Sequence, residues 1–168
     1  MPRVRIQTRI MAPRERVFDL ARSIDAHVES AAGTREQAID GRCSGLIENG
    51  ETVTWEARHL GVRQQLKVII TSMDRPDQFV DEMVSGAFRS LRHTHRFVIV
   101  TENETVMIDE LEFQAPLRPL GWMVEQIFLT RYMRRFLRRR NQVLKNLAES
   151  DLGDKYLLDS QRIGPTSL

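Results

Sequence analysis

From residue 38 onward the chain is interrupted at short intervals by residues suited to turns: Glu48-Asn49-Gly50-Glu51, Gly61, Asp74-Arg75-Pro76-Asp77, Gly86 and Glu102-Asn103-Glu104. This spacing predicts six strands, at about 38–48, 51–60, 62–73, 78–85, 87–101 and 105–115. A parallel crossover needs about a dozen residues, which these connections lack, so sequential neighbours must run antiparallel. A further strand precedes them, because Val4, Ile6, Thr8 and Ile10 alternate with Arg3, Arg5, Gln7 and Arg9.

Pro13 stops that first strand and stands where a helix can start, followed by Val17, Phe18, Leu20, Ala21 and Ile24 at helical spacing. Asp25 suits the cap of a second short helix running to about Ala32, with Gly33 ending it. Pro116 and Pro119 close the strand region. Beyond them, residues 122–148 hold neither proline nor glycine, and Val124, Ile127, Phe128, Tyr132, Phe136, Val143, Leu144 and Leu147 make a broad apolar stripe on one long helix. The last stretch, 151–168, carries Gly153, Gly164 and Pro165 with few periodic apolar positions and reads as a flexible tail. Residues 1–150 are thus expected to form a single domain.

Seven antiparallel strands that are apolar on one face must bury that face, and the last helix is the one element long enough to cover it. The expected architecture is α+β: a curved seven-stranded antiparallel sheet wrapped around a long C-terminal helix, with two short helices after strand 1. Twist and curvature hold parts of such a sheet away from the helix, so a concave, mostly apolar cavity between the two is the natural ligand site.

The single cysteine, Cys43, cannot form an internal disulfide, and no run approaches the ~18 apolar residues of a spanning helix; a cytoplasmic location is expected. The formal net charge of +2 hides an asymmetry, since Arg131, Arg134, Arg135, Arg138, Arg139, Arg140 and Lys145 follow one another with no acid between them. That run suits a solvated helix face, and it also offers peripheral contact to an anionic membrane. Nucleic acid is not expected, because no interleaved aromatics or known binding motif accompany the charge.

The segments Ile10-Met11-Ala12-Pro13-Arg14-Glu15-Arg16-Val17-Phe18-Asp19-Leu20, Ser23-Ile24-Asp25-Ala26-His27, Val53-Thr54-Trp55-Glu56-Ala57-Arg58-His59, Asp74-Arg75-Pro76, Gly86-Ala87-Phe88, His93-Thr94-His95-Arg96-Phe97 and Pro116-Leu117-Arg118-Pro119-Leu120-Gly121 resemble the SRPBCC superfamily. These are the START-like, polyketide cyclase/dehydrase and birch-pollen-allergen-type helix-grip proteins. The resemblance spans residues 3 to about 149. It implies a helix-grip fold around a hydrophobic pocket for a lipid, polyketide, hormone or aromatic ligand, and it implies no particular reaction.

Strand parity indicates which side chains enter that pocket. Leu91, His93, His95, Phe97 and Ile99 share one face, Met107, Asp109, Leu111 and Phe113 share another, and Trp55 shares one with His59. In 78–85 two faces are open: Phe79 and Met83 bring in Asp81, whereas Val80 and Val84 bring in Glu82. Phe128 and Tyr132 add aromatic lining from the helix. His93, His95 and Asp109 suit first a hydrogen-bonded network that satisfies buried polar atoms or orients a bound molecule, and as an alternative general acid–base work in a cyclase- or dehydratase-like reaction. A zinc reading requires side chains from separate strands to converge on one ion, and the sequence has no HExxH or paired-cysteine spacing. No metal and no cofactor are therefore expected. The leading expectation is a binder of a small hydrophobic ligand, either monomer or homodimer. An enzyme on a similar ligand and an interaction protein using the basic helix face stand as alternatives.

Overall fold

The computed structural model describes residues 2–59, 61–114 and 122–157, with the backbone alone at 59 and 122–126. The order is β1 (Arg3–Ile10), α1 (Arg14–Ala21), α2 (Ile24–Ser30), β2 (Gln37–Gly41), β3 (Thr52–His59), β4 (Val62–Asp74), β5 (Gln78–Gly86), β6 (Ser90–Thr101), β7 (Glu104–Gln114) and α3 (Trp122–Ala148). All pairings are antiparallel, and the seven strands lie in the order β1-β7-β6-β5-β4-β3-β2. The first strand returns to pair with the last, Arg3 opposite Glu112 and Ile10 opposite Thr105.

Four places in the ladder hold one residue more on one strand than on its partner. The unpaired residues are Ile39 in β2, Thr71 in β4, Val84 in β5 and Val100 in β6. Each bulge bends its strand and adds twist, which curls the sheet toward the helices. It also explains why Ile39, Val84 and Val100 are exposed although apolar. In β5 the inward face carries Phe79, Asp81 and Met83. Glu82 points outward to Arg92, at 3.1 Å, and Val80 is buried on that outer face beside Ser72, Arg92 and Thr94. The alternation of β1 is completed on the outer face by ion pairs from Arg3 and Arg5 to Glu110 and from Arg9 to Glu104.

The apolar interior forms two clusters. One gathers α1, α2, the inner faces of β3–β7 and the end of α3 around Phe18, whose ring meets Phe79 and Phe97 edge-on at 5.6 and 5.3 Å. The other packs Met133 and Leu137 of α3 against Val4, Ile6, Leu91, Leu111 and Phe113. α3 therefore lies over the β1–β7 side of the sheet, leaving the β3–β6 side to α1 and α2.

Several local expectations change. The strand expected at 38–48 ends at Gly41, which adopts φ +76° with the Thr52 carbonyl oxygen standing where a Cβ would have to go, so the chain leaves the sheet there. α2 is capped by Ser23, whose side chain accepts from Ala26 N, while Asp25 accepts from Gly45 N at 2.7 Å and ties down the following loop. α2 ends at Ser30, and the left-handed residue after the next 3₁₀ turn is Arg35 rather than Gly33. The tail is not loose from its start: Asp151–Gly153 form a 3₁₀ turn, Gly153 is buried, and Tyr156 joins the first cluster. Arg16 fastens this end by donating to Ala148 O at 2.8 Å, Ser150 O at 2.7 Å and Asp154 Oδ1 at 2.5 Å. The expected turn at Pro116–Pro119 and the rest of the tail, 158–168, lie outside the described residues.

Phe18 is 1% exposed at the meeting point of helix and sheet rings. Phe18→Ala is expected to cost about 3–5 kcal/mol, read from the shift of the urea unfolding midpoint with an unchanged slope.

Candidate functional site

The register of three adjacent strands assembles the polar centre of the interior. Asp81 of β5 stands opposite His93 of β6, and His95 stands opposite Asp109 of β7. All four point inward, and His93, His95 and Asp109 are 5%, 2% and 2% exposed. Carboxylates and imidazoles on directly opposite and diagonal positions come within hydrogen-bond reach of one another.

The two imidazoles lie between the two carboxylates. Behind them, Asp109 Oδ1 accepts from His93 Nε2 at 3.1 Å and from His95 Nδ1 at 2.8 Å. In front, Asp81 Oδ1 is 3.0 Å from His95 Nε2 and 3.9 Å from His93 Nδ1. Asn141 of α3 completes the Asp109 shell, its Nδ2 donating to Oδ2 at 2.6 Å and reaching Thr8 Oγ1 at 3.2 Å. The rings of His93 and His95 are 3.8 Å apart, and Phe79 stacks on His95 at 4.3 Å.

This arrangement sorts the charges. Burial opposes a charged His95, but hydrogen bonds to Asp109 and Asp81 outweigh it and hold its pKa above the ordinary imidazole value. Burial, reinforced by the charge of His95, lowers that of His93. Burial also opposes the Asp109 carboxylate, yet its bonds to His93 and His95 hold it well below the usual carboxylate range, and Asp81 is lowered in the same way. The two carboxylates thus favour the charged form of His95, and that charge in turn disfavours the charged form of His93.

Asp81, His93 and His95 face a cavity of about 50 Å³, whose apolar wall is built by Val53, Trp55, Val68, Ile70 and Phe79. Across it stand Ile24 and His27 of α2 and Arg140 of α3. His27 stacks on Trp55 at 3.9 Å and bonds Glu36 through Nε2 at 3.2 Å; burial and the nearby Arg140 charge lower its pKa. Arg140 makes no ion pair or hydrogen bond among the described residues. A larger groove, about 710 Å³, opens between the 29–34 segment and α3, with Tyr132, Phe136 and Val143 on its helical side, and shares no lining residue with the cavity.

The candidate residues read from strand parity are distributed unevenly. Trp55, Asp81, His93 and His95 meet at the cavity, and Asp109 backs it. Phe97 and Met107 are buried in the first cluster without lining the cavity, while Leu91, Phe113 and the half-buried Met83 belong to the second. Tyr132 lines the outer groove. Phe128 corrects the expectation, being 55% exposed because this stretch of α3 turns that side chain away from the sheet; Ile99 in β6 is exposed as well. The side chain of His59 lies outside the described residues. Sequence reasoning misses His27, Arg140 and Asn141. Asn141 has a usable signal, since it falls four residues after Leu137 and three before Leu144 in the buried stripe of α3.

No protein-family model and no curated protein sequence matches the chain. Solved structures do. A protein from Thermus thermophilus matches with TM-score 0.72 at 17% identity, covering 95% of this chain and 99% of its own. A START superfamily protein from Mycobacterium smegmatis matches with TM-score 0.68 at 12% identity, covering 88% and 97%. The Zhui aromatase/cyclase from a Streptomyces species matches with TM-score 0.71 at 10% identity, covering 88% and 93%. The chain shares with these structures the helix-grip fold, a curved seven-stranded antiparallel sheet around a long C-terminal helix. Among the described residues no helix is long and apolar enough to cross a membrane.

Because Asp109 and Asp81 have lowered pKa values, their contribution to stability is complete above the ordinary carboxylate value and is lost as the pH falls through the lower, folded ones. His95, with its raised value, contributes fully below the ordinary imidazole pKa and loses that contribution as the pH rises through the folded one. His93 and His27 have lowered values and subtract stability as the pH drops below the imidazole range. The urea midpoint is therefore expected to fall steeply below about pH 4. Asp109→Asn should cost about 3 kcal/mol or more at pH 7 by leaving His95 without its rear partner, and should flatten that acid limb.

Proposed function

We propose that the protein binds a small hydrophobic molecule that carries one anionic or strongly accepting oxygen. The observation behind this reading is the contrast between the two sides of the cavity. The sheet offers Val53, Trp55, Val68, Ile70 and Phe79, whereas the helices offer Arg140, a half-buried cation that makes no ion pair or hydrogen bond among the described residues and is offset only at longer range by the Asp81 carboxylate. A charge in that position favours an incoming acceptor, and apolar walls strengthen the interaction by excluding water.

The size of the space sets how such a molecule would lie. About 50 Å³ admits a polar head and a ring edge, not a whole lipid. With its head in the cavity, the ligand would pass its body between α2 and α3 into the separate groove lined by Tyr132, Phe136 and Val143, where burial of apolar area supplies affinity at roughly 25 cal/mol per Å². The START superfamily and aromatase/cyclase names among the similar structures accord with a ligand of this kind. A cyclase- or dehydratase-like reaction would act on the same molecule at the same imidazoles. The exposed row Arg131, Arg134, Arg135, Arg138 and Arg139 is the separate surface on which a membrane-contact reading would rest.

Thermal-shift and Trp-fluorescence titrations with fatty acids, flavonoids and aromatic polyketide carboxylates test the proposal, each carboxylate paired with its amide. The carboxylates are expected to bind and raise Tm, and Arg140→Gln should weaken them about tenfold or more while leaving the Tm of the free protein in place. No shift with any member of the panel, or equal binding of acid and amide, overturns it.

A further inference from the structure

We infer that Asp81, His93 and His95 form a binding site for one divalent first-row metal ion, with Zn²⁺ the best match to the donor set. One donor atom from each of the three lies within 4.8 Å of the others. Two imidazole nitrogens and a carboxylate oxygen are a borderline-soft set that suits zinc and its neighbours better than calcium or magnesium. This inference stands on the geometry of the three side chains and is independent of the ligand reading.

The arrangement behind the donors sets this cluster apart from an ordinary polar network. A metal-bound histidine needs its second ring nitrogen held by an acceptor, which fixes the tautomer and aims the lone pair of the first. Asp109 does this for both rings, taking His93 Nε2 and His95 Nδ1 on one oxygen while Asn141 holds the other. His93 Nδ1 and His95 Nε2 are thereby turned to the same side, toward Asp81 Oδ1 at 3.9 and 3.0 Å. With bonds of about 2.0–2.1 Å, tetrahedral ligands stand roughly 3.3–3.4 Å apart. The two separations to Asp81 bracket that value, and the third edge, between the two imidazole nitrogens, lies within 4.8 Å, so the rings must close on one another to seat the ion. The metal takes the place of the proton shared by His95 and Asp81, and that proton leaves to solvent.

The site is open on one side. Three protein ligands leave a fourth position, which faces the cavity of about 50 Å³, space for a water or for one donor atom of a ligand. The Asp81 side chain is 17% exposed, giving the ion its route in. Arg140 lines the same cavity and acts on Asp81, so its charge would oppose a bare dication there and favour an anionic group in the fourth position. A site of this form is one that exchanges its fourth ligand, in contrast to the closed four-ligand sites that only brace a fold.

The test uses the whole, chelator-treated protein without any organic ligand, so that its result does not depend on the proposed hydrophobic guest. Zn²⁺ is titrated against a chromophoric chelator, Co²⁺ is followed by its visible absorption, and ¹⁵N shifts of the histidine rings are recorded with and without Zn²⁺. One equivalent is expected to bind, with the absorption of a four-coordinate cobalt site and with shifts confined to His93 Nδ1 and His95 Nε2. Asp81→Ala should abolish the cobalt signature, and Asp109→Asn should weaken binding about 10- to 100-fold. Absence of binding, binding undiminished in Asp81→Ala, or shifts at His27 or His59 instead would overturn the assignment. The ring shifts are read on the unmutated chain and decide the matter even if a variant does not fold.

Discussion

A carboxylate buried to 2% exposure at the centre of the sheet sets the terms for everything around it. Asp109 can remain charged there only because both of its oxygens are held, one by His93 and His95 and the other by Asn141. Taking such a charge out of water costs several kcal/mol, and leaving it partly unpaired would cost a comparable amount again. The consequence is mechanical as well as electrostatic. β6, β7 and α3 are held in one relation, because Asn141 meets Asp109 only when the helix sits at this height over the sheet.

The bulges explain why an interior space exists on one side and a packed core on the other. Extra residues at Thr71, Val84 and Val100 curl the middle of the sheet, while β1 and β7 pair without interruption under Met133 and Leu137. α3 therefore closes down over the regular side. On the curled side the gap falls to α1 and α2, and two ring contacts, His27 on Trp55 and Phe79 on His95, narrow it to the size of a functional group. The pocket is small because polar and aromatic side chains enter it, and for the same reason its walls carry chemistry.

Much of this is legible in the chain. Alternation in β1, turn residues at regular intervals and a proline-free amphipathic stretch are local signals, and together they specify the meander and its covering helix. Parity also brings His93, His95, Asp109 and Trp55 to the inner face. What it cannot show is convergence: Asp81 meets His93 and His95 meets Asp109 only through the registers of β5, β6 and β7, which no spacing within one strand records. Metal signatures on a single helix or loop are visible as motifs, whereas donors spread over separate strands are not. Arg140 reads as part of a solvated charge run, although its neighbour Asn141 marks the buried stripe. Residues 151–157 lack a repeating apolar pattern because the adjacent pair Tyr156 and Leu157 makes the packing contact and Arg16 holds backbone carbonyls at 148 and 150.

The return of the first strand to the last has a temporal side. β1 lies at an edge of the sheet and its strand neighbour is β7, about a hundred residues later, so during synthesis it waits without that partner until most of the chain has left the ribosome. The closing of that one seam is the longest-range strand pairing in folding. The shell of Asp109 is completed later still, when Asn141 arrives. Order in the polar centre is therefore a late acquisition of the nascent protein.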